Sequence, residues 1–99
     1  MEVLQYKNYI GGVWQDALSG ETRDIYCPCD GEKVSTVPYC AEEDVNLAVA
    51  SAKRAFEEEN WAFNPRLRSQ CLYAWAAAMR KNHEALATRL ALETGEDPI

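Results

Sequence analysis

Four cysteines and one histidine are the side chains here best suited to hold a metal or attack a carbonyl: Cys27, Cys29, Cys40, Cys71 and His83. Zinc takes four soft ligands, usually delivered as two tight pairs. This sequence offers one C-x-C, Cys27-Pro28-Cys29, and two isolated thiols. A zinc-binding module would need Cys27, Cys29 and Cys40 to converge. The simpler reading is that all four are small, semi-buried hydrophobes. The C-x-x-C of a redox pair is absent. His83 falls at a helix start with no Ser or Cys beside it, and reads as a surface or capping residue. Glu57-Glu58-Glu59 reads as a solvated helix end. Gly11-Gly12 lacks the G-x-G-x-x-G pattern and precedes no helix, so a hairpin turn is expected rather than a phosphate loop. Spacing alone therefore assigns no catalytic and no cofactor-binding residue.

The elements that must position these side chains are legible from periodicity. In the stretch 44–59, Val45, Ala48, Val49, Ala52, Ala55 and Phe56 recur at helical spacing and form one apolar stripe. Glu42, Glu43 and Asp44 occupy its first turn, where the helix dipole favours acids. Its N-cap, Ala41, has no side-chain oxygen for the orphan N–H groups. Asn64-Pro65 begins a second helix, with Asn as cap and Pro at the first helical position. Leu67, Cys71, Leu72, Trp75, Ala78 and Met79 share one of its faces. Asn82 reads as a further cap. The third helix is expected to turn Leu86 and Leu90 inward, joined by Ala87 and Leu92. Gly95 ends it in the left-handed conformation, and Pro98 forbids resumption.

Strands are expected before the helices. Tyr9-Ile10 and Val13-Trp14 flank Gly11-Gly12 as a β-hairpin. A short strand centres on Ile25 and Tyr26, a turn follows at Pro28-Cys29-Asp30-Gly31, and the next strand runs to Tyr39 with Pro38 at an edge or an end. The whole reads as a single α+β unit over 1–99, with hairpin-forming strands at about 6–39 and amphipathic helices at about 42–59, 65–81 and 83–94.

Composition narrows the function classes. Hydrophobic residues make up 47% and charged residues 26%, which is ordinary for a folded domain. A net charge of −6 gains nothing from phosphate counterion release, so neither nucleic acid nor an anionic membrane is an expected partner. No apolar run approaches the ~18 residues that span a bilayer. The first residues lack the basic and apolar regions of a signal peptide, so a cytoplasmic location is the expectation, with the cysteines as thiols.

Five segments, read together, resemble the N-terminal region of the NAD(P)-dependent aldehyde dehydrogenase superfamily. They are Tyr9-Ile10-Gly11-Gly12-Val13-Trp14 with Ser19-Gly20-Glu21-Thr22; Cys27-Pro28-Cys29-Asp30-Gly31-Glu32; Glu42-Glu43-Asp44-Val45 leading to Ala48-Val49-Ala50 and Ala52-Lys53-Arg54-Ala55-Phe56; Trp61, Pro65, Arg68 and Leu72; and Leu92-Glu93-Thr94-Gly95. The family's usual Asn before Pro28 is Cys27 here, and Glu96-Asp97 separate Gly95 from Pro98.

The resemblance implies an oxidoreductase that converts an aldehyde to a carboxylic acid. In such enzymes a cysteine thiolate attacks, hydride passes to NAD or NADP, and a glutamate activates the hydrolytic water. All of that machinery lies C-terminal of the matched region, so no catalytic or cofactor-binding residue carries over. None of the four cysteines aligns with the nucleophile. A coenzyme bound to this chain alone is not expected. The family's structural monovalent cation implies main-chain carbonyl ligands at Ile25 and Tyr26, in a site whose other ligands fall beyond Ile99. The expectation is an N-terminal fragment of the dehydrogenase coenzyme-binding domain, inactive alone. Its apolar helix faces would be covered by the remainder of the subunit or by self-association into an oligomer. The alternative is a stand-alone interaction module that docks on dehydrogenase subunits.

Overall fold

The computed structural model describes residues 2–95. The expected block at Pro98, and the altered exit after Gly95, lie outside those residues. Five short strands, β1 (Leu4–Gln5), β2 (Asn8–Ile10), β3 (Val13–Gln15), β4 (Thr22–Tyr26) and β5 (Lys33–Pro38), precede three helices, α1 (Glu42–Glu58), α2 (Pro65–Lys81) and α3 (His83–Thr94). The order is α+β, strands then helices.

β2 and β3 form an antiparallel hairpin around Gly11 and Gly12, whose φ angles are 59° and 81°. Two consecutive positive φ angles make the primed turn that matches strand twist, and glycine adopts them without a Cβ clash. Tyr9 lies directly opposite Trp14, with ring centroids 4.5 Å apart. Such cross-strand aromatic pairs hold the register of an isolated hairpin. The hairpin tip rests against α1: a Cβ at Gly11 would stand 3.1 Å from Ser51 Oγ.

The second sheet has the order β1-β5-β4. β5 is central, antiparallel to β4 and parallel to β1, and Pro38 closes its end. The expectation of hairpin-forming strands from about residue 6 missed β1. A two-residue strand is too short to show alternation, and its partner lies some thirty positions away in parallel register. Between Ile25 and Tyr26 the β4–β5 register shifts by one residue, which leaves Val34 as an extra residue on β5. Such a bulge takes its residue out of the ladder and sharpens local twist.

Helix ends follow local chemistry. Asn64 Oδ1 accepts from Leu67 N–H at 3.1 Å, and Pro65 occupies the first helical position. Asn82 caps differently from a helix start: its Nδ2 donates to Ala78 O at 2.8 Å, closing α2, and it makes no side-chain bond to α3. Gly95 ends α3 at φ 78°, the left-handed conformation expected of it.

The buried apolar side chains among the described residues are Ala17, Cys27 and Val34. Leu86 and Leu90 do not turn inward; they are 49% and 59% exposed. α3 instead directs Ala87, Arg89 and Leu92 toward the sheet side, where they are half-buried. On this face the Arg89 guanidinium reaches Val34 O at 2.7 Å and Tyr6 Oη at 3.2 Å.

Candidate functional site

The thiols do not converge. Cys27 is buried beneath the β4–β5 turn, while Cys29, Cys40 and Cys71 are exposed on three different elements. Asn8 Nδ2 donates to Cys40 Sγ at 3.0 Å, and Cys29 Sγ donates to Gly95 O at 3.5 Å. Among the described residues no three His, Cys, Asp or Glu side chains form a set able to hold a metal ion. His83 opens α3 on the surface, in an apolar cleft with Met79, Leu86 and Leu90. Glu57, Glu58 and Glu59 lie exposed at the end of α1.

Ile25 and Tyr26 sit at the bulge. Ile25 is half-buried opposite Ser35, and Tyr26 is exposed opposite Lys33. Two carbonyls are a minority of the six or so oxygens a hard cation takes.

One residue that spacing presented only as a first-turn acid has a larger role. The Asp44 carboxylate accepts from Ala41 N–H at 3.0 Å and from Leu18 N–H at 2.9 Å, and the residue is buried. The first bond is half of a capping box and serves the helix start that Ala41 cannot. The second staples α1 to the loop after β3. Its pKa lies below the ordinary 3.8, chiefly through the Ala41 N–H and next the Leu18 N–H, with burial acting the other way. A depressed carboxylate contributes stability that is fully present above 3.8 and is lost as pH falls through the lower folded value. Asp44→Asn is expected to melt several degrees lower at neutral pH. Its melting temperature should also depend less on pH than the parent's below that point. Thermal melts followed by circular dichroism across that pH range check this; identical parent and variant profiles would refute the staple.

A dinucleotide pyrophosphate needs a glycine-rich turn from a strand into a helix N-terminus. Gly11 and Gly12 join two antiparallel strands, and among the described residues the one parallel pair, β1 and β5, has no helix between its strands. The described residues do not fit that group, so no step is derived through it. The groove between hairpin tip and α1, about 480 Å³ and lined by Tyr9, Gly11, Ser51, Arg54 and Glu58, is open. Its charged side chains, Arg54, Glu58 and Glu59, are exposed to solvent.

What the molecule does present is bare apolar surface. Phe56 is 71% exposed, Trp75 65% and Trp14 67%. No residue of α2 or α3 is buried. The accessible surface is 8070 Å², against roughly 5,700 Å² for a compact chain of this mass. The radius of gyration is 16.8 Å, against about 13 Å for a compact domain of this length. The chain is a plate, 48 × 35 × 17 Å. Its most extensive surface feature is therefore exposed apolar side chains on the hairpin and the helices.

Comparison with known proteins agrees with this geometry. The aldehyde dehydrogenase family profile matches residues 14–98. Malonate-semialdehyde dehydrogenase 2 of Shouchella clausii is 38% identical over 95 residues, covering 96% of this chain and 19% of that protein. Human mitochondrial 10-formyltetrahydrofolate dehydrogenase is 40% identical over 96 residues, covering 96% of this chain and 10% of that protein. The crystal structure of Mycobacterium tuberculosis aldehyde dehydrogenase, complexed with NAD+, superposes with a TM-score of 0.90 at 32% identity. That match covers 98% of this chain and 20% of the other. The chain thus spans a fifth or less of these relatives' lengths. The bare helix faces, the strand order and the family motifs lead to one assignment: this chain belongs to the aldehyde dehydrogenase family and corresponds to its N-terminal region.

Proposed function

We propose that this chain is the N-terminal part of an NAD(P)-dependent aldehyde dehydrogenase that oxidises an aldehyde to a carboxylic acid, and that the 99 residues perform no chemistry by themselves. The observation that carries this reading is the near-complete superposition on a fifth of a dehydrogenase, on a plate whose helices lack a covering layer. The reaction needs a thiolate beside a base. Among the described residues, Cys29 Sγ donates to Gly95 O, Asn8 Nδ2 donates to Cys40 Sγ, and Cys40 Sγ donates to Pro38 O. In this reading the chain's task is architectural: β5 and the helices pack onto elements that hold the nucleotide and the nucleophile. Cytoplasmic action belongs to the same reading, because the exposed thiols of Cys40 and Cys71 persist in a reducing compartment.

The test is a transplant. The purified chain, mixed with NAD+ or NADP+ and malonate semialdehyde, should form no reduced nicotinamide. Exchanged for the matching segment of Shouchella clausii malonate-semialdehyde dehydrogenase 2, it should support turnover within about tenfold of that enzyme. Turnover by the chain alone, or a soluble but inactive chimera, would overturn the reading.

A further inference from the structure

We propose that the β4–β5 turn carries a site of spontaneous backbone modification, in which Asp30 cyclises onto Gly31 as a succinimide and reopens as isoaspartate at a rate that the docking of α3 controls. Asp30 is the only aspartate in the sequence followed by glycine. In that dipeptide the Gly31 nitrogen attacks Asp30 Cγ. A C–N bond forms, a Cγ–O bond breaks, and the oxygen leaves as water with the Gly31 amide proton and one proton from solvent. Water then opens the cyclic imide. Attack at the Cγ carbonyl restores aspartate. Attack at the main-chain carbonyl leaves Gly31 joined through Cγ, which is isoaspartate. The only co-reactant is water. A side chain after the aspartate crowds the attacking nitrogen, and glycine has none. The space around Gly31 is open, since a Cβ there would meet nothing within 4 Å. This inference stands apart from the catalytic reading, which the chimera tests.

The turn holds the two reacting groups side by side and latched. Asp30 and Gly31 are exposed. Asp30 Oδ1 accepts from Glu32 N–H at 2.9 Å, which folds the carboxylate forward along the Gly31 peptide. Gly31 N–H donates to Cys27 O at 2.9 Å, and Cys27 N–H donates to Glu32 O at 2.8 Å. The first of these bonds engages the proton that the reaction must remove. Cyclisation therefore proceeds from an opened turn, and its rate scales with the open fraction. The end of α3 sits against the two residues before Asp30. A Cβ at Gly95 would stand 3.3 Å from Cys29 Sγ and 3.4 Å from Pro28 Cγ, and Cys29 Sγ donates to Gly95 O. Opening the turn moves Pro28 and Cys29 off that seat, so a docked α3 keeps the turn shut. The Arg89 bond to Val34 O ties α3 to the same sheet. The linkage runs both ways. Isoaspartate puts one more carbon into the main chain between Cys27 and Glu32, and the lengthened turn no longer fits against Gly95.

Ageing the full chain at neutral pH and body temperature under reducing conditions tests it, with circular dichroism to confirm that the fold persists. Trypsin cuts after Arg23 and Lys33 and releases residues 24–33, which contain both Asp24 and Asp30. Electron-transfer fragmentation locates isoaspartate in that peptide, and loss of one water marks the succinimide. Isoaspartate should accumulate at Asp30 and not at Asp24, which the branched Ile25 follows. A synthetic peptide of residues 24–33 has no latched turn and should isomerise at least tenfold faster than the folded chain. Arg89→Met, with α3 freed, should isomerise severalfold faster than the parent. Asp30→Glu, whose longer side chain closes the larger ring far more slowly, should show no such product. A folded chain that yields no isoaspartate at Asp30 overturns the site. A folded chain as fast as the peptide overturns the gate, and an Arg89→Met rate equal to the parent's overturns the role of α3.

Discussion

Val34→Asp abolishes the folded state: circular dichroism and amide dispersion should report an unfolded chain at room temperature. Val34 has no exposed surface, and only Ala17 and Cys27 join it as buried apolar side chains among the described residues. It lies on the central strand, at the bulge where β5 departs from its ladder with β4. A carboxylate there loses its hydration inside the sheet, while the Arg89 guanidinium is already engaged by the Val34 carbonyl, at a cost of several kcal/mol. A domain of this size has about 5–15 kcal/mol to lose. This one starts low, because it leaves roughly half of its unfolded surface exposed where a compact chain of its length leaves about a third. Val34→Ala removes two methyl groups and should cost roughly 1–3 kcal/mol, read from urea denaturation. A Val34→Asp chain with the parent's melting curve would show that the β1-β5-β4 sheet is not the seat of stability.

The contrast between Val34 and the helices shows which parts of this fold the sequence displays. α1 announces itself because Val45, Val49 and Phe56 recur at a period no strand shares. The hairpin does so because Gly11-Gly12 supplies two positive φ angles in a row. Asn64-Pro65 marks the start of α2 for reasons wholly local to four residues. What is hidden is long-range. Leu4 and Gln5 have no pattern of their own and become a strand only against Ser35 and Thr36. Asp44 looks like any first-turn acid until Leu18 is brought to it by the fold. The inward expectation for Leu86 and Leu90 fails because periodicity does not display the hydrogen bond from Arg89 to Val34 O, which lies on the face that α3 turns to the sheet. The spacing of Cys27, Cys29, Cys40, Cys71 and His83 offers one C-x-C and three isolated residues, with no nucleophile–base pair to read. Family motifs convey what periodicity does not, that the chain corresponds to the N-terminal region of the aldehyde dehydrogenase family.

Arg89→Met should release α3 from the sheet. A bulge leaves its extra residue out of the ladder, and at Val34 the carbonyl is taken by Arg89 Nη2 at 2.7 Å. The same guanidinium donates from Nε to Tyr6 Oη at 3.2 Å, and Tyr6 N–H in turn donates to Thr36 O at 2.9 Å. One planar fork thus ties α3 to β5 and to the segment after β1. Methionine keeps the unbranched stem and the helix propensity while deleting the donors, so the loss reports the hydrogen bonds. A bond from a charged donor contributes about 1.5–3 kcal/mol, which in a domain of this length lowers Tm by roughly 10 °C. Arg89→Lys should recover only part of it, because a single ammonium cannot reproduce the fork toward two acceptors. Tyr6→Phe should cost less than 1 kcal/mol, its hydroxyl being exposed to water. Hydrogen exchange distinguishes local release from global unfolding. In Arg89→Met the α3 amides should exchange well before those of β5, whereas in the parent both open together. Unchanged α3 protection in Arg89→Met would mean that Gly95 and the Pro28–Cys29 turn beside it hold the helix, and that the carbonyl of Val34 needs no partner from α3.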